Sequence, residues 1–231
     1  MFSKTILSFV SFLACAAPML KATTITGVAD LAELNDDKLN VYGPATLKNV
    51  NVKTLRVAGP LKFNNLTVQD TAKLFGPMEK NKGTGTFGTL TVKGPVDVQN
   101  IECKQALKIT GPTTLSHAQV GGKTTVIGTL KASDSSFKNI CVTAPKVELT
   151  DCSTGNIVIK KNNSGNTSKS FFGWLFGWSS KEKQEPQKLI LDGTTTINGT
   201  ITFEAGNGTV VTKGNSVNIA GTISGATLQK K

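Results

Sequence analysis

The side chains that could do chemistry in this 231-residue chain are few and stand apart from one another. The one histidine, His117, has no cysteine or second histidine at metal-ligand spacing, and no candidate triad forms around it. The one adjacent acidic pair, Asp36 and Asp37, lies in a different part of the chain. We therefore predict a protein that is not an enzyme and that uses no metal or cofactor.

Aromatic side chains, in contrast, are concentrated in one segment. Eight residues hold five of the fourteen aromatics and both tryptophans: Phe171, Phe172, Trp174, Phe176 and Trp178. Exposed aromatic clusters mark contacts with partners or membranes, and Trp is favoured at the bilayer interface. We expect this segment to contact a membrane surface or an envelope protein. The alternative is a lid folded back over the rest of the protein.

The charge is strongly basic but carries no nucleic-acid signature. Lys and Arg number 26 against 15 acids, for a formal net charge of +11. The cations are nearly all lysines, spread singly along the chain, whereas nucleic-acid modules cluster Arg with aromatics on one face. We expect no nucleic-acid partner, and we assign these lysines to solubility and to protection of sheet edges.

The first 22 residues are typical of a secretory signal peptide. A short basic start precedes an apolar run over residues 5–20, which is too short to span a bilayer comfortably. We expect an exported protein in the periplasm, in the outer envelope or outside the cell. An alternative is lipoprotein processing at Cys15.

An internal repeat positions these side chains. Gly-Pro pairs and related steps recur at intervals of 16 to 18 residues, beginning at Gly43, Gly59, Gly76, Gly94, Gly111, Gly128 and Ala144. Apolar residues recur two and four positions before each step and again four, seven and nine positions after it, for example Val57, Leu55, Phe63, Leu66 and Val68. Each unit therefore holds three short alternating runs, which are typical of half-buried strands separated by turns.

Three short strands with three tight corners make one coil of a parallel β-solenoid, since the unit is too short to include a helix. We predict an all-β fold with about 17 residues per coil and 8–10 coils. A cap spans residues 23–40, coils span 41–160, and further coils with a closing cap span 189–231.

One coil carries an insertion. We expect it to lie in a flexible loop, residues 161–188, with the aromatic residues 171–178 at the tip of the loop. Leu189 and Leu191 stand four and two positions before Gly193, in phase with the apolar pairs that precede the other steps. The next step after Ala144 falls 17 residues on, at Lys161, where Ile157 and Ile159 precede it in phase. The phase at Gly193 then predicts that a coil is completed between Lys161 and Gly193, and that the insertion itself is slightly shorter than one coil.

The alternation also places the three cysteines that follow the signal segment. Cys103 falls in an inward column with Val52, Val68 and Val120, whereas Cys141 is expected to point outward. Cys152 falls about three coils beyond Cys103 at a similar phase, too far for a disulfide. An odd number of cysteines excludes a complete disulfide framework, which leaves an intermolecular bridge through Cys141 as a hypothesis.

The repeated units at residues 109–115 (Ile-Thr-Gly-Pro-Thr-Thr-Leu) and 126–130 (Val-Ile-Gly-Thr-Leu) resemble those of the bactofilins. These are bacterial cytoskeletal proteins with a right-handed β-helix of short coils that polymerises end to end. The resemblance covers about half of the chain, and the signal peptide and the aromatic insertion depart from it. It implies a structural protein of the bacterial cell envelope that associates with itself. The alternative is a secreted adhesin or glycan-binding β-helix.

Overall fold

A computed structural model describes residues 22–79, 83–161, 186–214 and 216–231. Within these ranges the chain forms strands, turns and bends and no helix, so no helix there could cross a membrane. The strands are β1 (Ala22–Thr26), β2 (Ala29–Ala32), β3 (Asn35–Tyr42), β4 (Ala45–Ala58), β5 (Leu61–Phe75), β6 (Gly85–Lys93), β7 (Val96–Gln99), β8 (Ile101–Thr110), β9 (Thr113–Ser116), β10 (Gln119–Ile127), β11 (Leu130–Ser133), β12 (Ser136–Thr143), β13 (Lys146–Thr150), β14 (Ser153–Ile159), β15 (Lys188–Asp192), β16 (Thr196–Ile197), β17 (Ile201–Phe203), β18 (Gly208–Thr212), β19 (Asn218–Ile219), β20 (Ile223–Ser224) and β21 (Ala226–Lys230).

Every pairing between these strands is parallel, and up to β14 the partners lie about one repeat apart in the sequence, as in Leu55 with Ala72 and Leu90 with Leu107. One ladder runs through eleven strands from β1 to β19, and a second joins β7 to β21. The predicted β-solenoid with about 17 residues per coil is therefore confirmed.

Each coil has three faces, which we name by their place in the repeat. Face A comprises the segments that precede each Gly step, such as residues 54–58. Face B comprises the segments that follow it, such as 45–48, and face C the third segment, such as 50–52. Two inward columns on each face form one continuous core. The sequence analysis overlooked one face B column, two positions after each glycine, which holds Ala45, Leu61, Met78, Val96, Thr113 and Leu130.

The corner between faces A and B requires glycine. Gly94 has φ +151°, and a Cβ built there would overlap the carbonyl oxygen of Gly76 in the preceding coil. Gly59, Gly76 and Gly111 repeat this close approach in their own coils. Glycine is therefore needed here both for its conformation and because stacked backbones occupy the space of a side chain.

The corner between faces B and C is formed by a non-glycine residue in the left-handed backbone conformation. Its members have φ between 49° and 57°: Glu33, Asn49, Asn65, Asn100, His117, Asp134 and Asp151. Asn and Asp tolerate this conformation better than other non-glycine residues because their short polar groups bond locally. Asn65 donates to the Asn49 side chain at 2.9 Å, and Asn49 donates to Glu33 at 2.6 Å, so side-chain hydrogen bonds link adjacent coils.

The stack has about 11 coils, more than the 8–10 predicted. Residues 23–40, which the sequence analysis assigned to a cap, contribute β1, β2 and much of β3, all paired in register with the next coil. This coil escaped detection because Gly27 is followed by Val28 rather than proline. Two of its inward positions are also polar, since Thr23 lies over Leu39 and Asp36 over Val52.

The predicted length of the insertion is wrong. Leu189 and Leu191 pair with Val147 and Leu149 on face B, not with the residues that precede a Gly step on face A. The chain therefore resumes at the face that directly follows face A, and no coil is completed between the two ends of the insertion. For this reason the inserted segment is longer than one coil. Gly193, with φ +61°, belongs to the left-handed corner above Asp151.

Candidate functional site

The predicted contact residues Phe171, Phe172, Trp174, Phe176 and Trp178 lie outside the described residues. The structure does describe both ends of the segment that carries them. The chain leaves the solenoid after β14 at the end of face A and re-enters at β15 on face B. The insertion therefore takes the place of a Gly-Pro step, at the corner where the other coils turn tightly.

A buried glutamine fastens the base of this insertion. The Gln187 side chain is 3% exposed, and its Nε2 donates to the carbonyl oxygens of Lys160 at 2.8 Å and Ala144 at 3.1 Å. The next amide, of Lys188, donates to the Pro145 carbonyl at 2.9 Å. One side chain thus joins the two ends of the insertion to each other and to the coil below, which fixes where the aromatic segment emerges.

His117 lies in a polar groove along the corner between faces B and C, with a volume of about 520 Å³. The groove is lined mainly by hydroxyl and carboxylate groups, from Asp134, Ser136, Asp151, Ser153, Thr194 and Thr196 among others. His117 is exposed, and its Nδ1 lies 2.9 Å from the Ser116 hydroxyl. No carboxylate in the described residues hydrogen-bonds the ring, so the Ser-His contact lacks the orienting acid of a triad.

One of the two acids that line this groove, Asp151, is used in local structure. One Asp151 carboxylate oxygen accepts hydrogen bonds from the Thr194 amide at 2.8 Å and the Thr194 hydroxyl at 2.9 Å. These two bonds lower the pKa of Asp151, because they favour its charged form. Among the described residues, no group of three or more His, Cys, Asp or Glu side chains could hold a metal ion.

All three cysteines in the described residues are free and buried. Cys103 is inward, as predicted, and burial, with a smaller effect of the Glu102 charge, raises the pKa of its thiol to about 12. Burial likewise raises the pKa of Cys152 to about 11. Cys152 does not share the Cys103 column, which continues through Phe137 to Thr154; it occupies the neighbouring inward position on face C.

Cys141 lies in an outward column of face A, between Thr125 and Val158, yet it is only 6% exposed. A small side chain between two branched neighbours at strand spacing has little access to solvent. The free surface that an intermolecular disulfide would need is thus nearly absent.

The C-terminal end of the stack leaves apolar core positions uncovered. Ile219, Ile223 and Leu228, one from each face, lie over the buried Ile197, Ile201 and Val210. Leu228 is in an inward column but is 44% exposed, because nothing in the described residues lies above it. Within the part of the chain that the structure describes, β19, β20 and β21 each pair on one side only. These residues fall in the range 189–231, for which the sequence predicts further coils and a closing cap.

The N-terminal end also has partly buried inward side chains, Ile25 and Leu31, but it differs in that two inward positions of its first coil are polar. The Thr23 hydroxyl donates to the Asp36 carboxylate at 2.6 Å, and the other Asp36 oxygen is buried without a partner among the described residues. A further coil stacked on this end would bury the carboxylate completely, which is costly. Inward charges of this kind protect sheet edges from unwanted pairing.

Comparison with protein-family models, with curated proteins and with solved structures finds no match to this chain.

Proposed function

We propose that the protein is a non-enzymatic structural protein of the bacterial cell envelope, exported and able to associate with itself through the ends of its solenoid. The resemblance of its repeats to those of the bactofilins supports this role, and so does the rod of stacked coils. The aromatic segment 171–178 docks the rod to a membrane surface or to an envelope protein.

The observation that carries the proposal is the open C-terminal coil. Ile219, Ile223 and Leu228 expose the end of a core that is fully buried one coil below. Unpaired parallel edges and apolar surface at the same place favour association with another edge. A second copy of the chain supplies an unpaired edge and an apolar surface, so the C-terminal end is the first contact in assembly. The Thr23–Asp36 pair makes the N-terminal end the weaker contact.

The assembly is tested by introducing a charge at this end. Leu228→Lys places an ammonium group in an inward, half-covered position, whereas Gln229→Lys adds the same charge to an exposed neighbour on the outer side. We expect the wild type and Gln229→Lys to form dimers or filaments, and Leu228→Lys to be monomeric. The measurements are molar mass by sedimentation equilibrium and filament formation by electron microscopy.

Monomeric rods in all three samples would refute self-association and would favour the adhesin or glycan-binding alternative. Equal assembly of all three would refute the assignment of the C-terminal end. Docking is tested separately by cell fractionation of Trp174→Ser/Trp178→Ser. This variant should lose its envelope association, and unchanged fractionation would refute docking through the loop.

A further inference from the structure

The outer surface of face A carries one cation in each of six consecutive coils. These are Lys38, Arg56, Lys73, Lys93, Lys108 and Lys123, and all six are exposed. They occupy three outward columns that are two residues apart along each strand. Coil and strand spacings give this group, which we call the basic face, an extent of about 24 Å along the rod and roughly 13 Å across it.

No carboxylate interrupts the basic face. In those six coils the remaining outward positions of face A hold Thr, Asn, Ala, Ile, Tyr and Phe. The nearest acids, Asp37 and Asp70, lie at the adjoining corner, and Asp37 forms an ion pair with Lys53 at 2.5 Å. Face B contrasts with this, because acids there pair with lysines, as in Lys62 with Glu79 at 3.0 Å.

Aromatic and aliphatic side chains lie between these cations. Tyr42, Phe75 and Ile127 share one outward column and are among the few large hydrophobic side chains exposed in the described residues. The Arg56 guanidinium lies 5.0 Å from the Phe75 ring centre, and the Lys93 ammonium lies 5.6 Å from it. These cation–π contacts hold two cations beside an exposed ring.

We infer that the basic face binds the surface of an anionic phospholipid bilayer. Its charge is of one sign and is spread in two dimensions over one sheet face, which matches a plane of lipid headgroups better than a linear polymer seated in a groove. Tyr and Phe between the cations suit the interface, where an apolar ring and a polar edge are both accommodated. The inference rests on the proposed envelope role only in that the chain must meet a membrane.

The size of the effect follows from the number of cations. Each Lys or Arg close to an anionic bilayer strengthens binding roughly fivefold, about 1 kcal/mol. Replacing three of the six, Lys73→Gln/Lys93→Gln/Lys108→Gln, should therefore weaken binding about 100-fold. The matched control, Lys48→Gln/Lys62→Gln/Lys131→Gln, removes the same charge from exposed sites on face B. It should weaken binding less than about threefold, because salt screens charges beyond a Debye length.

Binding is measured by co-sedimentation of the full chain with vesicles of phosphatidylcholine alone and of phosphatidylcholine with equal phosphatidylglycerol. Both triple variants are also made in the Trp174→Ser/Trp178→Ser background, so that any contribution of the aromatic segment is removed. We expect binding that needs phosphatidylglycerol, weakens with salt, and is lost in the basic-face variant but not in the control. Molar mass measured on the same samples should be unchanged, which separates this result from the self-association test.

Equal losses in the two triple variants would overturn the inference, since net charge rather than its placement would then be responsible. Binding that is indifferent to phosphatidylglycerol would overturn it as well. Tighter retention on an immobilised acidic polysaccharide than on the anionic vesicles would assign the basic face to a different partner.

Discussion

Thr124 places a hydroxyl group in the apolar core. Its side chain is 0% exposed and stands in an inward column between Leu107 and Ile140. Its Oγ1 is buried and has no hydrogen-bond partner among the residues that the structure describes. Valine has the same branched shape with a methyl group in place of the hydroxyl. Thr124→Val should therefore stabilise the fold, although most single substitutions destabilise a protein.

The magnitude has two parts. A buried polar group left without a hydrogen bond costs roughly 1–3 kcal/mol, which the substitution removes. The added methyl gains up to about 0.8 kcal/mol of apolar burial in an existing space. Because imperfect packing of the new methyl group costs a few tenths of a kcal/mol, we expect a rise of about 2 kcal/mol in the free energy of unfolding. For a chain of this length, that corresponds to roughly 4–8 °C in Tm.

Thr113→Val is the matched control, with the opposite sign expected. Thr113 is also buried in an inward column, but its hydroxyl donates to the Gly111 carbonyl at 3.1 Å. Losing this bond should cost about 1 kcal/mol. Urea unfolding followed by circular dichroism measures both variants. The reasoning is refuted if Thr124→Val is neutral or destabilising, or if the two changes have the same sign. Thr154→Val, at a second buried hydroxyl without a partner, should repeat the gain.

Two further predictions concern the corners and the core. Gly94→Ala should destabilise the fold by about 3 kcal/mol or more, since it adds a backbone clash to an unfavourable φ. Gly27→Ala, with φ +106° and nothing within 4 Å of the added carbon, should cost only about 1–2 kcal/mol in the same unfolding assay. Burial holds the folded pKa of Cys103 at about 12, above its usual 9.0, so its contribution to stability is complete below pH 9 and is lost as pH rises toward 12. Cys103→Val should remove this part of the loss of stability at alkaline pH. Identical profiles of stability against pH for the wild type and Cys103→Val from pH 8 to 12 would contradict the burial of this thiol.

The coil period was predictable because side-chain alternation and the Gly-Pro steps report the same repeat. From the step at Gly59 to the step at Ala144, the inward positions on face A two and four residues before each step, such as Leu55 and Val57, were identified from the sequence and are buried. Side-chain alternation alone does not show which face of the solenoid a strand belongs to. Leu189 and Leu191 alternate in the same way whichever face they line, so only their pairing with Val147 and Leu149 assigns them to face B.

The first coil shows a second limit of sequence reasoning. Ile25 and Leu31 keep the apolar pattern in this coil, but Thr23 and Asp36 face inward at positions where the repeat predicts apolar residues. A terminal coil has a neighbour on one side only, which leaves space and solvent for a hydrogen-bonded polar pair. The residues that end a solenoid therefore look least like its repeat. The contact residues predicted at 171–178 remain a prediction, since they lie outside the described residues.

The basic face explains why the lysines look scattered in the sequence although they are sorted in space. From Lys38 to Lys123, each cation follows the previous one by about one coil, and most steps also shift to the neighbouring outward column. Two cations directly above one another at coil spacing repel by roughly 1 kcal/mol even in water. A shift to the next column brings their separation to about 8 Å, close to the Debye length, where salt screens much of that repulsion. Of the neighbouring pairs, only Arg56 and Lys73 share a column, and Arg56 has the Phe75 ring beside it. The shift between columns lowers repulsion within the basic face. Because it also varies the spacing of the cations along the sequence, a search for a fixed period does not detect them. The same shift spreads the charge over the width of face A, the surface that would contact a bilayer.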